Sequence, residues 1–233
     1  MAITKKKVVV LTGAGISAES GIKTFRDADG LWEGHDVMTV ASPQGWADNP
    51  ELVLDFYNQR RAQLHAVEPN RAHHSLVTLE RTHDVVIVTQ NVDDLHERAG
   101  SSHVIHLHGQ LRQARSVTDP NTILSIDGDI RLGDQGPDGG QLRPHIVWFG
   151  EAVPQIEIAA TTVQQADVLL IVGTSMQVYP AAGLVQYAPP YCPIYYIDPK
   201  PHISHELSLT DRLTIVEERA TTGLPKVLDR LTS

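Results

Sequence analysis

The sequence predicts an α/β fold: a doubly wound, parallel, Rossmann-like sheet with a small inserted module. Three observations carry that prediction. Short β-branched runs alternate with helical patterns over most of the chain, which is the signature of a parallel sheet covered on both faces. The first such run, VVVLT, passes straight into Gly13-Ala14-Gly15, a glycine turn between a strand and a helical pattern. The interval 110–143, by contrast, loses the alternation and becomes rich in Gly and Asp. With 233 residues and 41% hydrophobic content, the chain can bury the core of one α/β domain with a small insertion.

Residues 8–32 hold the densest signal. A strand, a tight turn and a helix to Gly21 are expected, with glycines that let backbone approach a pyrophosphate and N–H groups that attract it. The expected ligand is a dinucleotide. Ser17, Ser20, Thr24, Arg26 and Asp27 then crowd polar groups among Phe25, Leu31 and Trp32, which suits a loop closing over a ligand. Asn49-Pro50-Glu51 is a helix start, and the helix should run to about residue 67 with Val53, Tyr57, Leu64 and Val67 on its apolar face. Arg60 falls on the same face. Either its stem packs while the guanidinium reaches water, or Tyr57 and Arg60 point together into a cavity and meet an anion.

A second helix over 71–82 leads to a buried strand over 84–89, whose exit carries Gln90, Asn91, Val92, Asp93, Asp94, Leu95 and His96. Amides and a carboxylate at a strand's carboxyl end are candidates to hold a ribose or carboxamide; as a structural alternative they cap a helix. The strand over 104–107 exits into His108-Gly109. His108 is the candidate base, beside a glycine that leaves space for a ligand, whereas His106 reads as structural. After the excursion come a strand over 145–150, a helix over 155–166 and an apolar strand over 168–172 that exits into Gly173-Thr174-Ser175. A short helix over 181–186, a strand over 194–197 ending in Asp198, a strand over 213–216 and a helix over 224–231 complete the pattern. An acid such as Asp198 at a late strand's end can accept from adenosine ribose hydroxyls, which favours NAD over its 2′-phosphorylated form.

Nineteen basic against 28 acidic residues give a net charge of −9, which disfavours an extended nucleic-acid footprint and suits cationic, lysine-bearing partners. No apolar run reaches membrane-spanning length, and the first one is too short for a signal peptide. Cys192 is the sole cysteine, so an internal disulfide and a multi-cysteine zinc site are both excluded, and a cytoplasmic setting is expected.

Gly13-Ala14-Gly15-Ile16-Ser17, Thr24-Phe25-Arg26, Gln90-Asn91-Val92-Asp93, His108-Gly109, Val147-Trp148-Phe149-Gly150-Glu151 and Gly173-Thr174-Ser175 occur in the order found in sirtuins, and the resemblance spans nearly the whole chain. It implies an NAD-dependent protein-lysine deacylase acting on acyl-lysine proteins or peptides, with a Rossmann-like domain at 1–109 and 144–233. The small module would be 110–143, joined by part of 43–70. The resemblance further implies that Gln90, Asn91 and Asp93 serve the nicotinamide ribose and that His108 is the general base, with Asn91 and Asp93 sharing the catalytic centre. Gly13, Ala14, Gly15, Ser17, Thr24, Phe25, Arg26 and Trp32 would also contact NAD, while Gly173, Thr174, Ser175, Asp198 and Ala220 line its adenosine end. Val147 and Phe149 would lie along the substrate peptide. Tyr57 and Arg60 match the Tyr-x-x-Arg pair of the branch that accepts succinyl and malonyl groups. The products implied are free lysine, nicotinamide and 2′-O-acyl-ADP-ribose.

Two departures stand out. The interval where most sirtuins carry four zinc cysteines has none here, so no zinc is expected and Ile123, Leu124, Ile126, Ile130 and Leu132 should hold the insertion as a hairpin. Asp198 stands where the family usually has asparagine. Two rival readings are an NAD glycohydrolase or ADP-ribosyltransferase on the same scaffold, and a non-catalytic NAD-binding module. A monomer is expected.

Overall fold

The computed structural model describes residues 5–23, 31–208 and 211–232. Six parallel strands form the main sheet: β1 (Lys7–Thr12), β2 (Asp84–Thr89), β3 (Val104–His106), β4 (Val168–Val172), β5 (Ile194–Ile197) and β6 (Leu213–Val216). Their spatial order is β6-β5-β4-β1-β2-β3, so the chain winds outward in one direction from β1 and in the other from β4. The reversal lies between β1 and β4. In an open α/β sheet that is where a crevice forms beyond the carboxyl ends of the strands.

The uninterrupted apolar runs follow from burial on both faces. Val9, Leu11, Val86, Val88, Leu169 and Ile171 pack on one side with Ala159 and Val163 of helix Ile156–Gln164 and with the 3₁₀ segment Ala181–Tyr187. Val8, Val10, Val85, Ile87, Leu170 and Val172 pack on the other side with helices Arg71–Leu79 and Ala220–Thr232. Among the described residues no helix is long and apolar enough to cross a membrane.

A three-stranded antiparallel sheet, built from Gly109–Ser116, Ile123–Ser125 and Leu142–Ile146, stands beside the first. Both boundaries read from the sequence, after 109 and before 144, fall within the strands that come first and last in chain order. The expected strand over 145–150 is corrected: pairing ends at Ile146, because the strand serves this small sheet and the chain then turns at Val147–Gly150 to meet Ala41 through the Phe149 N–H. Leu124, Ile126 and Ile130 do pack, against Leu54, Ala114 and Leu142. Ile123 and Leu132, expected among the contacts that hold the insertion, are exposed. Polar contacts also hold the module. Glu151 accepts from Arg115 and Arg143 and from the Trp148 N–H, and Asp138 accepts from Ser116 and Thr118. Among the described residues no three His, Cys, Asp or Glu side chains gather as a metal site would require.

The helix expected from Gly15 to Gly21 is instead two 3₁₀ turns, Ala14–Ile16 and Ala18–Ser20, ending in a left-handed Gly21. Its bonds span three residues, as from Ser17 N–H to Ala14 O and from Ser20 N–H to Ser17 O. The cause is lateral. Gly15 presses on Gly173, and the Ser17 side chain is drawn to Asp93 rather than left to cap a helix.

Candidate active site

Register brings the sequence motifs together. Thr12 pairs with Thr89 on one side and Val172 on the other, so Gly13, Gln90 and Gly173 leave the sheet at one level. Gly13 and Gly15 donate to Val172 O and Gly173 O, at 3.2 and 2.8 Å. These two N–H groups are therefore spent on the neighbouring strand exit and are not offered to a phosphate, which corrects the expectation from the glycine turn. A Cβ on Gly15 would lie 2.7 Å from Gly173 Cα, so glycine is needed for the two exits to close on each other.

Beneath this floor lies a buried polar cluster. Ser17 Oγ donates to Asp93 Oδ2 at 2.9 Å and accepts from Asn91 Nδ2 at 3.3 Å, while Leu95 N–H donates to Asp93 Oδ1. Burial pushes the Asp93 carboxyl up to about 6, against the pull of its Leu95 and Ser17 bonds. Gln90 Nε2 donates to Thr174 Oγ1 at 2.9 Å, so the exits of β2 and β4 are also bridged by side chains. The capping alternative for the Gln90–Asp93 stretch is seen in one contact: Asp93, just before the N-cap residue Asp94, accepts from Leu95 N–H at the start of Leu95–Ala99 while its other oxygen faces Ser17.

His108 Nδ1 lies 3.1 Å from Gln90 O. A carbonyl only accepts, so Nδ1 carries the proton and Nε2 the lone pair. Burial lowers the His108 pKa, an effect the Gln90 bond only partly offsets, and the ring is neutral at pH 7. Gly109 does not supply that base with ligand space, however. Gly109 has φ +80°, and a Cβ there would meet His145 O at 2.0 Å, so this glycine serves the pairing of the small sheet. Val147 N–H donates to His108 O at 2.9 Å, which ties Val147 to the base, and Phe149 nearby is 40% exposed.

Thr174 and Asp198 are buried at the exits of β4 and β5, Ser175 is half-buried, and Asp198 Oδ1 accepts from Lys200 N–H. Tyr196 OH fixes the turn by donating to Thr174 O. Ala14 is half-buried, and Ala220 starts the last helix within the core. Thr24, Phe25 and Arg26 lie outside the described residues.

Helix Pro50–Gln63 forms a second wall. Tyr57 is fully buried, its hydroxyl accepting from Trp148 Nε1 at 3.1 Å, and burial raises its pKa. Trp32 stands edge-on to Phe56 and Tyr57 at 4.9 and 6.0 Å. The Arg60 guanidinium lies 5.1 Å from the Phe56 ring centre, and its Nε is buried without a hydrogen-bond partner. The arginine that is 1% exposed is Arg61. It donates from Nε to Leu111 O and from Nη1 to Asn58 Oδ1 and Gly128 O, locking the helix to the small sheet. Neither Arg61 nor Glu151 is given a role by the sequence alone. The spacing of four from Tyr57 to Arg61 is the available signal for the first; the second shows only as the last residue of the Val147–Glu151 motif, which gives it no role by itself.

The Sir2 family model matches residues 13–180. An NAD-dependent protein deacylase of Helicobacter pylori is 57% identical over 97% of both chains. One of Bacteroides thetaiotaomicron is 54% identical over 86% of this chain and 88% of its own. Among solved structures, a Sir2 homologue in complex with NAD is 37% identical with a TM-score of 0.85, covering 98% of this chain and 90% of the other.

Proposed function

This chain belongs to the Sir2 family, and on that premise we propose that it removes acyl groups from protein lysines at the expense of NAD, releasing nicotinamide and 2′-O-acyl-ADP-ribose. The donor set at the switch point fits the cofactor. Asp198 and Thr174 would offer an acceptor and a hydroxyl to the adenosine end, and Gln90, Asn91, Ser17 and Asp93, already gathered by their mutual bonds, would offer amides, a hydroxyl and a carboxylate to the nicotinamide ribose. Gly13, Ala14, Gly15, Gly173 and Ser175 would form the floor between them, with Ala220 behind and Trp32 toward the acyl chamber. Bound NAD supplies a good leaving group, nicotinamide, and a ribose hydroxyl that accepts the acyl group.

The observation that carries this reading is the tautomer of His108. Gln90 O holds its proton on Nδ1, so Nε2 is free to take a proton from a hydroxyl, and burial keeps the ring neutral and ready. Val147, bonded to the carbonyl of the same residue, and the exposed Phe149 would receive the peptide beside it, so the acyl-lysine and the base share one support. Tyr57 and Arg60 would meet the far end of an acidic acyl group, giving activity on succinyl and malonyl as well as acetyl lysine. The small module, residues 110–143 with the helical part of 43–70, would carry that specificity, and the single cysteine supports a cytoplasmic setting.

The test is His108→Ala. Acyl transfer should fall by about 10²–10⁴-fold while the dissociation constant of NAD moves little, because a base acts in the reaction rather than in docking. Turnover that survives the substitution would remove His108 from the mechanism.

A further inference from the structure

Glu33 occupies a conformation that its side-chain type disfavours. It is the first of two residues, Glu33-Gly34, that join the short strands Leu31–Trp32 and His35–Asp36, with φ of +51° and +84°. Two-residue connections with both φ positive select Asn or Asp followed by Gly, and a glutamate there is a strained choice. Strain of this kind clusters at ligand and switch sites, which directs attention to what the Glu33 side chain meets. The Glu33 carboxylate turns inward, 14% exposed, with Oε2 at 3.1 Å from Lys23 Nζ and 4.0 Å from Arg60 Nη1.

Arg60 is itself 16% exposed, with Phe56 against its guanidinium and Nε buried without a partner. At 4.0 Å the Glu33 contact neutralises charge but is too long to be a hydrogen bond. Arg60 is thus a desolvated cation with a nearby anion and an unsatisfied donor. A second acceptor would satisfy that donor, and it would come close to the Glu33 carboxylate.

We propose that Glu33 is a specificity-determining residue: it is the built-in counter-ion of Arg60, with which an acidic acyl group must compete, and it biases the enzyme toward neutral acyl groups. The inference rests on the reading of Arg60 as the receiver of an acyl carboxylate. Two carboxylates sharing one guanidinium repel, and Lys23, 71% exposed, offsets little of that repulsion. Discrimination by a repulsive group is a common device where one attractive contact would otherwise dominate.

The experiment measures kcat/KM on succinyl- and acetyl-lysine peptides of one sequence, together with the binding of each peptide. The enzymes are the wild type, Glu33→Gln, Glu33→Asn, Arg60→Met and the Glu33→Asn/Arg60→Met double variant. Glu33→Asn suits the turn better than glutamate, so loss of folding is not in prospect for it. Both Glu33 variants should raise the succinyl-to-acetyl ratio about tenfold, equivalent to about 1.4 kcal/mol, chiefly through tighter binding of the succinyl peptide. The double variant should lose that gain. If Arg60→Met lowers the ratio while neither Glu33 variant raises it, Glu33 is not the counter-ion that sets selectivity and this inference alone fails. If Arg60→Met leaves the ratio unchanged, the acyl-carboxylate reading of Arg60 fails and this inference with it.

Discussion

Replacing Asp93 by asparagine should stabilise the protein at neutral pH and abolish one component of its pH dependence. Asp93 is 6% exposed, and its carboxyl is raised from 3.8 to about 6, with burial the largest cause. A group whose folded pKa lies above its unfolded value contributes its full stability below the unfolded value, where both states are protonated. That contribution is lost as pH rises from about 4 to about 6, since the unfolded chain ionises first. Roughly two units correspond to about 3 kcal/mol of strain from the buried charge at pH 7.5. Asparagine keeps the shape and can still accept from Leu95 N–H, but the Ser17 hydroxyl loses its acceptor, a cost of about 1 kcal/mol. The net gain of about 1–2 kcal/mol should raise Tm by about 2–8 °C at pH 7.5. Thermal unfolding of both proteins between pH 4 and 8 is the assay, read as the difference between them so that other carboxylates cancel. The advantage of Asp93→Asn should be near zero or negative at pH 4 and grow to its plateau above pH 6. A variant less stable at pH 7.5, or a difference that does not vary with pH, would show that the Asp93 charge is not a source of strain in the folded protein.

Arg60→Met should reduce desuccinylation by about 30- to 1000-fold, the loss of a charged hydrogen bond, and leave deacetylation little changed; Tyr57→Phe should show a milder form. Equal losses on both peptides would make Arg60 a packing residue. Arg61→Met should lower Tm by about 5–15 °C, because three hydrogen bonds to Leu111, Asn58 and Gly128 are lost and two carbonyls are stranded. An unchanged melting curve would show that the helix and small sheet dock without it. A chelator should leave the melting curve untouched and elemental analysis should find less than stoichiometric zinc, since no cysteine lies between Gln110 and Arg143. Unfolding in chelator would reveal a His or Asp site.

The parallel sheet was legible because strands such as Val8–Val10 and Leu169–Ile171 are buried on both faces and so read as continuous apolar runs. The strand exits were legible for a related reason: Gln90, Gly173 and Asp198 each follow such a run at once. What was not legible depends on partners distant in sequence. Gly13–Ile16 reads as a helix start until Gly173 presses on it, and Gly109 reads as ligand space until the His145 carbonyl fills it. The strand Gly109–Ser116 carries Gln110, Arg112, Gln113 and Arg115, polar residues whose alternation is masked because each is held by a contact elsewhere or half-buried. Arg61 is hard to tell from Arg60 in the sequence because a buried arginine is explained only by the carbonyls it meets, and these lie 50 and 67 residues away.

Acyl transfer to NAD-derived ADP-ribose is read out by incubating the protein with NAD and matched acetyl-, succinyl- and unmodified lysine peptides and quantifying the products by mass spectrometry. One nicotinamide and one acyl-ADP-ribose should form for each lysine freed, with both acyl peptides consumed and the unmodified one inert. Nicotinamide released at the same rate with all three peptides, or with none, and no acyl-ADP-ribose formed, would contradict acyl transfer and identify an NAD glycohydrolase on the same scaffold.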